Sequence, residues 1–257
     1  MPEAGEQSSM EMLNSLIKKS NGGILEFWVV LLTAALICIK YILLPKHILD
    51  DNETTKSLMH KKNLFITIAY ILVIIMAVFY INYNGYHTTC LKNTSKEMSS
   101  EAVYFLVMVS VFPWMSILGI CYAVLNVLPG WKSPFSNTFG YFITMFMLGG
   151  QHMIDDILNI TNTNDENKAI RLVLENNFGN LINDYTPNNI AEFRHIGEEI
   201  GVSKLKTKPY SSAKGAYNNI AKLIMLKDFI AEGIWFMLMG IFVVNITDNY
   251  ISVEACI

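Results

Sequence analysis

Three groupings in the chain carry side chains able to bind a metal or move a proton. His152-Met153-Ile154-Asp155-Asp156 places an imidazole three and four residues ahead of two carboxylates. That spacing puts the groups on one helix face, where they could ligate a metal or relay a proton at a bilayer edge. More commonly such a cluster marks where an apolar helix leaves lipid. Glu192-Phe193-Arg194-His195 is one Glu-x-x-His pair. Di-iron carboxylate bundles need two such pairs and two further glutamates; the second pair is missing, so a solvated helix face is expected. His87 and Cys90 offer two ligands of the four that a tetrahedral site needs.

The sequence has no His-Glu-x-x-His, Gly-x-Ser-x-Gly or nucleotide glycine loop. Gly130-Trp131-Lys132-Ser133 departs from a phosphate loop, because Trp131 stands where glycine must precede the lysine. No catalytic residue, cofactor or metal is therefore expected, and the chain is not expected to be an enzyme.

The elements that would position these groups are set by an uneven charge distribution. The 257 residues are 52% apolar and 16% charged, against about 25% charged in a soluble domain. The deficit is concentrated in stretches 24–44, 64–81, 103–128, 134–154 and 229–247, which together hold only Glu26, Lys40 and Glu232. A bilayer core needs about 20 mostly apolar residues as helix, and lipid requires the backbone to bond internally. The expected fold is thus an all-α membrane protein of about five transmembrane helices. A polar N-terminal segment (1–23) precedes a four-span region (24–154). A helical polar insert (155–228) leads to a fifth span and short tail (229–257). Lys40 and Glu232 lie about one turn from span ends, where long side chains can snorkel to the headgroups. The 134–154 stretch contains Gly140, Gly149 and Gly150 and suits a re-entrant segment as well as a span.

The first residues are not expected to be a secretory signal, since Glu3, Glu6 and Glu11 precede Lys18 and Lys19. No lipid anchor is expected from Glu254-Ala255-Cys256-Ile257. Net charge is −3, giving no strong attraction to nucleic acid. Near-membrane lysines and arginines, and sequons starting at Asn52, Asn93, Asn159 and Asn245, fall on both sides and leave orientation open. Cys38 and Cys121 are expected to pack as small apolar residues. Five crossings would separate Cys90 from Cys256, so no bridge between them is expected.

Within 155–228, Ala169, Ile170, Val173, Leu174, Phe178 and Leu181 recur at helical spacing, and Ile190, Phe193, Ile196 and Ile200 form a second stripe. Asp184-Tyr185-Thr186-Pro187 reads as a turn, and from Ala213 a helix runs toward the last span. Ser116, Gly119 and Ala123, and Gly233 with Gly240, suggest close helix packing. Internal packing is favoured over a dimer face, with a homo-oligomer left open. Pro113 should free a carbonyl within the third stretch, near Ser110. No charge sits at mid-depth in any stretch, which counts against an ion-coupled carrier.

The most distinctive passage is Pro129-Gly130-Trp131-Lys132-Ser133-Pro134-Phe135-Ser136-Asn137-Thr138-Phe139-Gly140-Tyr141. Pro129 and Gly130 end one span; Ser133 can cap the next helix, with Pro134 at its first position. Trp131 and the other aromatics suit the headgroup zone. Ser136, Asn137 and Thr138 are a polar trio in an apolar stretch, placed to bond a neighbouring helix.

This passage resembles a motif of multi-span membrane proteins of nucleocytoplasmic large DNA viruses. The run Ala231-Glu232-Gly233-Ile234-Trp235-Phe236 through Asn249-Tyr250-Ile251 is similar to that group's last span. The ending Thr247-Asp248-Asn249-Tyr250 departs from the group's Ser-Tyr-Asn type. The resemblance implies a protein of the virion internal membrane and of host intracellular membranes, with no catalytic residues. The function expected is scaffolding between that membrane and capsid or core proteins. A small channel or transporter built on the kinked third stretch and Ser136–Thr138 is the alternative.

Overall fold

The computed structural model describes residues 25–46, 48–49, 53–90, 100–157, 180, 182–195 and 210–254. Among these residues regular structure is helical, with no strand. Helix α1 spans Leu25–Ile42, α2 Glu53–Cys90, α3 Ser100–Ser110 and α4 Phe112–Val127. A 3-10 turn at Pro129–Lys132 leads into the three-residue α5, Ser133–Phe135. Two π-helical stretches follow, Ser136–Gly140 and Ile143–Met147. Helix α6 is Gly150–Ile157, a 3-10 turn covers Ile190–His195, and α7 is Tyr210–Glu254.

Four helical segments are long and apolar enough to cross a membrane: Leu25–Ile42, Ser57–His87, Ser100–Val127 and Lys214–Thr247. Four of the five apolar stretches read from composition thus fall on such segments. The 134–154 stretch does not form one helix of that kind. Its π-helical stretches are five residues each, and the chain turns at Gly149 with φ +74°, a conformation glycine adopts without strain. The last helix is continuous from Tyr210, so the helical approach expected from Ala213 is present.

Two compact units divide the chain. The first takes the described residues of Met1–Leu36, Ile66–Leu128 and Trp235–Ile257. Apolar residues at helical spacing build its core: Leu25 and Val29 on α1, Tyr70, Ile74 and Val78 on α2, Trp114, Leu118, Cys121 and Leu125 on α4, and Phe236 and Val243 on α7. Polar side chains inside it find partners. The Thr33 hydroxyl donates to the Val29 carbonyl at 2.7 Å and lies 2.7 Å from the Tyr70 hydroxyl. Asn82 Nδ2 donates to Ser110 Oγ at 2.8 Å, tying α2 to α3. The break between α3 and α4 falls at Val111, two residues before Pro113. Proline has no N–H to give and crowds the preceding turn.

Small residues pack here only in part as expected. A Cβ on Gly240 would come within 2.7 Å of Val29 Cγ1, so α7 and α1 approach closely there. Around Gly119 there is open space, and Ala123 is exposed. Among the described residues the Ser116–Ala123 face of α4 is not an internal seam; that helix buries the Trp114–Leu125 face instead.

The second unit takes the described residues of Ile37–Phe65 and Pro129–Ile234. Its main core joins Ile48 and Leu49 to Met145, Ile154, Ile182, Ile190, Phe193, Tyr217, Ile224 and Phe229. The Phe193 ring lies edge-on to Tyr185 at 5.2 Å and 5.7 Å from Tyr217. Ile190 and Phe193 of the second predicted stripe are thus buried; Ile196, Ile200 and the earlier stripe from Ala169 to Leu181 lie outside the described residues. The turn expected at Asp184–Pro187 falls two residues later, with the Asn189 amide donating to the Thr186 carbonyl at 3.2 Å. Asn189 Oδ1 accepts from the Thr186 amide at 2.7 Å and hydroxyl at 2.9 Å, while Asn189 Nδ2 donates to the Asp184 carbonyl at 3.2 Å. The Leu49 amide donates to Asn218 Oδ1 at 3.2 Å.

Candidate functional site

Helix α7 is buried at every position from Leu223 to Gly233. A helix buried all round is normally apolar all round, yet this stretch carries Lys227, Asp228 and Glu232. Four residues separate the two acids, so they share a helix face. Each meets a lysine from elsewhere in the same unit. Lys40 Nζ lies 2.8 Å from Glu232 Oε1, with side chains only 2% and 9% exposed. Lys132 Nζ lies 2.7 Å from Asp228 Oδ2. The Lys40 ammonium also sits 5.6 Å from the centroid of the Phe229 ring, within range of a cation–π attraction.

Lys227 is satisfied by neutral oxygens. Its Nζ donates to the Ile182 carbonyl at 3.1 Å, Asn137 Oδ1 at 3.2 Å and Asn183 Oδ1 at 3.4 Å. An ammonium has three N–H donors and no acceptor, so these contacts use its full capacity. The result is a cluster of three lysines and two carboxylates. It joins α1, the 129–147 passage and the 182–195 segment to one stretch of α7.

Lys40 and Glu232 therefore correct the expectation of snorkelling. Each is buried against the other. Dispersed charges near span ends are, in the folded chain, partners. The signal that could have found them is the Lys227-Asp228…Glu232 spacing at the start of the last apolar run.

The polar trio divides its work. Asn137 bonds to α7 through Lys227, as expected of a residue joining two helices. Thr138 Oγ1 donates back to the Pro134 carbonyl. Ser136 is buried, 6% exposed. Ser133 does not cap a helix: Lys132 before it already has helical angles, φ −77° and ψ −24°, and no side-chain cap forms. The passage enters α5 from a 3-10 turn without leaving helical conformation. A cap satisfies amides left open by a start from extended chain, and this entry has no such start. Pro134 does sit in the first turn. Trp131 is exposed. Pro129 and Gly130 lie in the 3-10 turn, with open space at Gly130.

The groupings read as possible chemistry are described only in part. His152 is exposed on α6, and His87 is exposed on α2 and stacks on Tyr83 at 6.5 Å. Glu192 is exposed on its 3-10 turn. The side chains of Asp155, Asp156, Cys90 and His195 lie outside the described residues, as does Cys256 with the excluded Cys90–Cys256 bridge. Among the described residues no three His, Cys, Asp or Glu side chains gather as a metal set.

The arrangement holds segments of chain together. Burying charges is costly unless they are paired and hydrogen-bonded, and here pairing joins elements far apart in sequence. No family model, curated protein or solved structure matches the chain.

Proposed function

We propose that the chain is an integral membrane scaffold. The observation carrying this reading is the commitment of the buried charges on α7: each contacts another element of its own unit. Glu232 holds α1, Asp228 holds the 129–132 turn, and Lys227 holds Asn137, Ile182 and Asn183. The four long apolar helices supply the membrane anchor. The polar 45–63 and 155–228 segments supply surface for other membrane or virion proteins. The resemblance of 129–141 and 231–251 to multi-span membrane proteins of large DNA viruses supports a scaffold of a virion internal membrane, one that would link that membrane to capsid or core proteins. Mass spectrometry of purified virions, with protease protection before and after detergent, tests this. A stoichiometric band in washed virions is the expected result; absence, or trace host-membrane carry-over, would overturn the viral assignment.

A second reading rests on a specific observation: π-helical stretches and buried ionisable groups often mark functional sites in membrane helices. A small channel or transporter would use the Asn137–Lys227 region. Flux across reconstituted vesicles that falls on substitution of Asn137 or Glu232, with folding retained, would favour it over the scaffold.

A further inference from the structure

The four long apolar helices and the passage between α4 and α7 together decide which segments share a membrane face. If each of the four crosses once, the end of α1, the start of α2, the end of α4 and the start of α7 lie on one face. A fifth crossing at 134–154 would put the 182–195 segment on the face opposite residues 45–63. About 30 Å of hydrocarbon would then divide them.

The contacts of the second unit exclude that division. The Leu49 amide bonds to Asn218, and Ile48 and Leu49 share a core with Ile182, Ile190 and Phe193. Phe193 lies 5.7 Å from Tyr217, next to the Asn218 that bonds Leu49, far closer than a bilayer core would allow, so the passage between α4 and α7 returns to the face it left.

Its own form fits a return. Ile143–Met147 ends at a sharp turn, and Gly150 then lies against what precedes it. A Cβ there would be 2.7 Å from Met145 Sδ and 2.8 Å from the Thr144 carbonyl. The two sides of the passage also differ. Ser136, Gly140 and Thr144, four apart, are buried, and Gly140 abuts the Lys227 backbone. Phe139, Phe142 and Phe146 are each more than half exposed. No Asp, Glu, Lys or Arg occurs in 134–154, and the 136–147 backbone is bonded helically. A charge-free aromatic face with internally satisfied backbone is suited to hydrocarbon and poorly suited to water.

We propose that 133–157 is a re-entrant helical element that dips into the leaflet adjoining residues 45–63 and leaves by the same face. Its Phe139, Phe142 and Phe146 side is covered by lipid acyl chains. The chain then crosses four times, in place of the five suggested by composition. The proposal stands independently of the scaffold reading.

Single cysteines in a cysteine-free full chain, expressed in microsomes, test it. Ser57→Cys, Asn188→Cys and His87→Cys report topology through an impermeant maleimide applied before and after the vesicles are opened. The expected result is that positions 57 and 188 label together and position 87 labels from the other side. Labelling of 188 with 87, opposite 57, would overturn the proposal by establishing a crossing. Spin labels at Phe142→Cys and Phe146→Cys, in the chain reconstituted in phospholipid vesicles, report what covers the aromatic face. Collision with oxygen should exceed collision with a water-soluble nickel chelate several-fold. A chelate-dominated signal would place the face in water, and exclusion of both reagents would place it against protein; either result overturns the lipid assignment. Positions 57, 87 and 188 lie outside both cores, and the replacement of core Cys121 is common to every variant and to the cysteine-free parent, whose folding is the reference, so the topology arm survives if an aromatic variant misfolds.

Discussion

Lys40 and Glu232 are 192 residues apart in sequence and 2.8 Å apart in space, both closed to solvent. The pair joins the end of α1 to the middle of α7. Breaking a buried pair leaves a charge without its partner in a medium that solvates it poorly, which costs about 3–5 kcal/mol. Replacing both charges by apolar residues of similar volume is often neutral or stabilising. Glu232→Gln should therefore destabilise the chain by about that amount. Lys40→Met combined with Glu232→Leu should recover most of the loss. Unfolding of the parent, Lys40→Met, Glu232→Leu and the double variant in mixed detergent, arranged as a double-mutant cycle, measures the coupling. Equal, additive losses would mean the pair does not form.

Asn137 is expected to matter through its carbonyl oxygen, which accepts from Lys227. A hydrogen bond to a charged group contributes about 1.5–3 kcal/mol. Asn137→Ala should lose stability in that range, whereas Asn137→Asp should retain it, because a carboxylate accepts the same proton and adds attraction. Thermal unfolding of both variants in detergent distinguishes this from a generic packing loss, in which aspartate would do no better than alanine.

How much was legible beforehand follows the range of the interactions. Four long apolar helices, the break before Pro113, the helix leading into the last span and the turn near Pro187 all arise from local patterns. Residues a few positions apart suffice to reveal them. The charge cluster arises from pairing over long stretches of chain. A lysine one turn from a span end has two ways to avoid lipid, reaching the headgroups or meeting a carboxylate, and composition does not choose between them. The 134–154 passage was ambiguous for a related reason. Twenty-one residues without a formal charge describe a straight crossing and a folded-back element equally well. Gly149-Gly150 marked the turn, and its effect became apparent only with Leu49 set against Asn218.

Two glycines offer a paired test of where helices touch. At Gly140 a Cβ would stand 2.6 Å from the Lys227 carbonyl oxygen and 2.9 Å from its Cγ. The carbonyl belongs to a buried helix and cannot swing away, so overpacking should cost about 1–3 kcal/mol. At Gly119 a Cβ would meet nothing within 4 Å, and alanine is the better helix former by up to about 1 kcal/mol. Gly140→Ala should therefore lower the unfolding midpoint, while Gly119→Ala leaves it unchanged or raises it. The opposite order would show that α4, not the 136–140 stretch, lies against a neighbour.

Trp114 is wholly buried in the first unit, and its indole Nε1 has no hydrogen-bond partner among the described residues. Such a donor forfeits about 1–3 kcal/mol of hydration without compensation. The large ring nonetheless fills the core beside Leu118 and Phe236. Trp114→Phe removes the donor along with part of the ring, so gain and loss should nearly cancel, leaving stability within about 1 kcal/mol of the parent. Trp114→Ala keeps only the loss and should cost about 3–5 kcal/mol. Chemical unfolding of the two variants side by side separates the terms. If Phe costs nearly as much as Ala, the indole N–H is bonded in the native membrane protein, with a lipid or water as its acceptor.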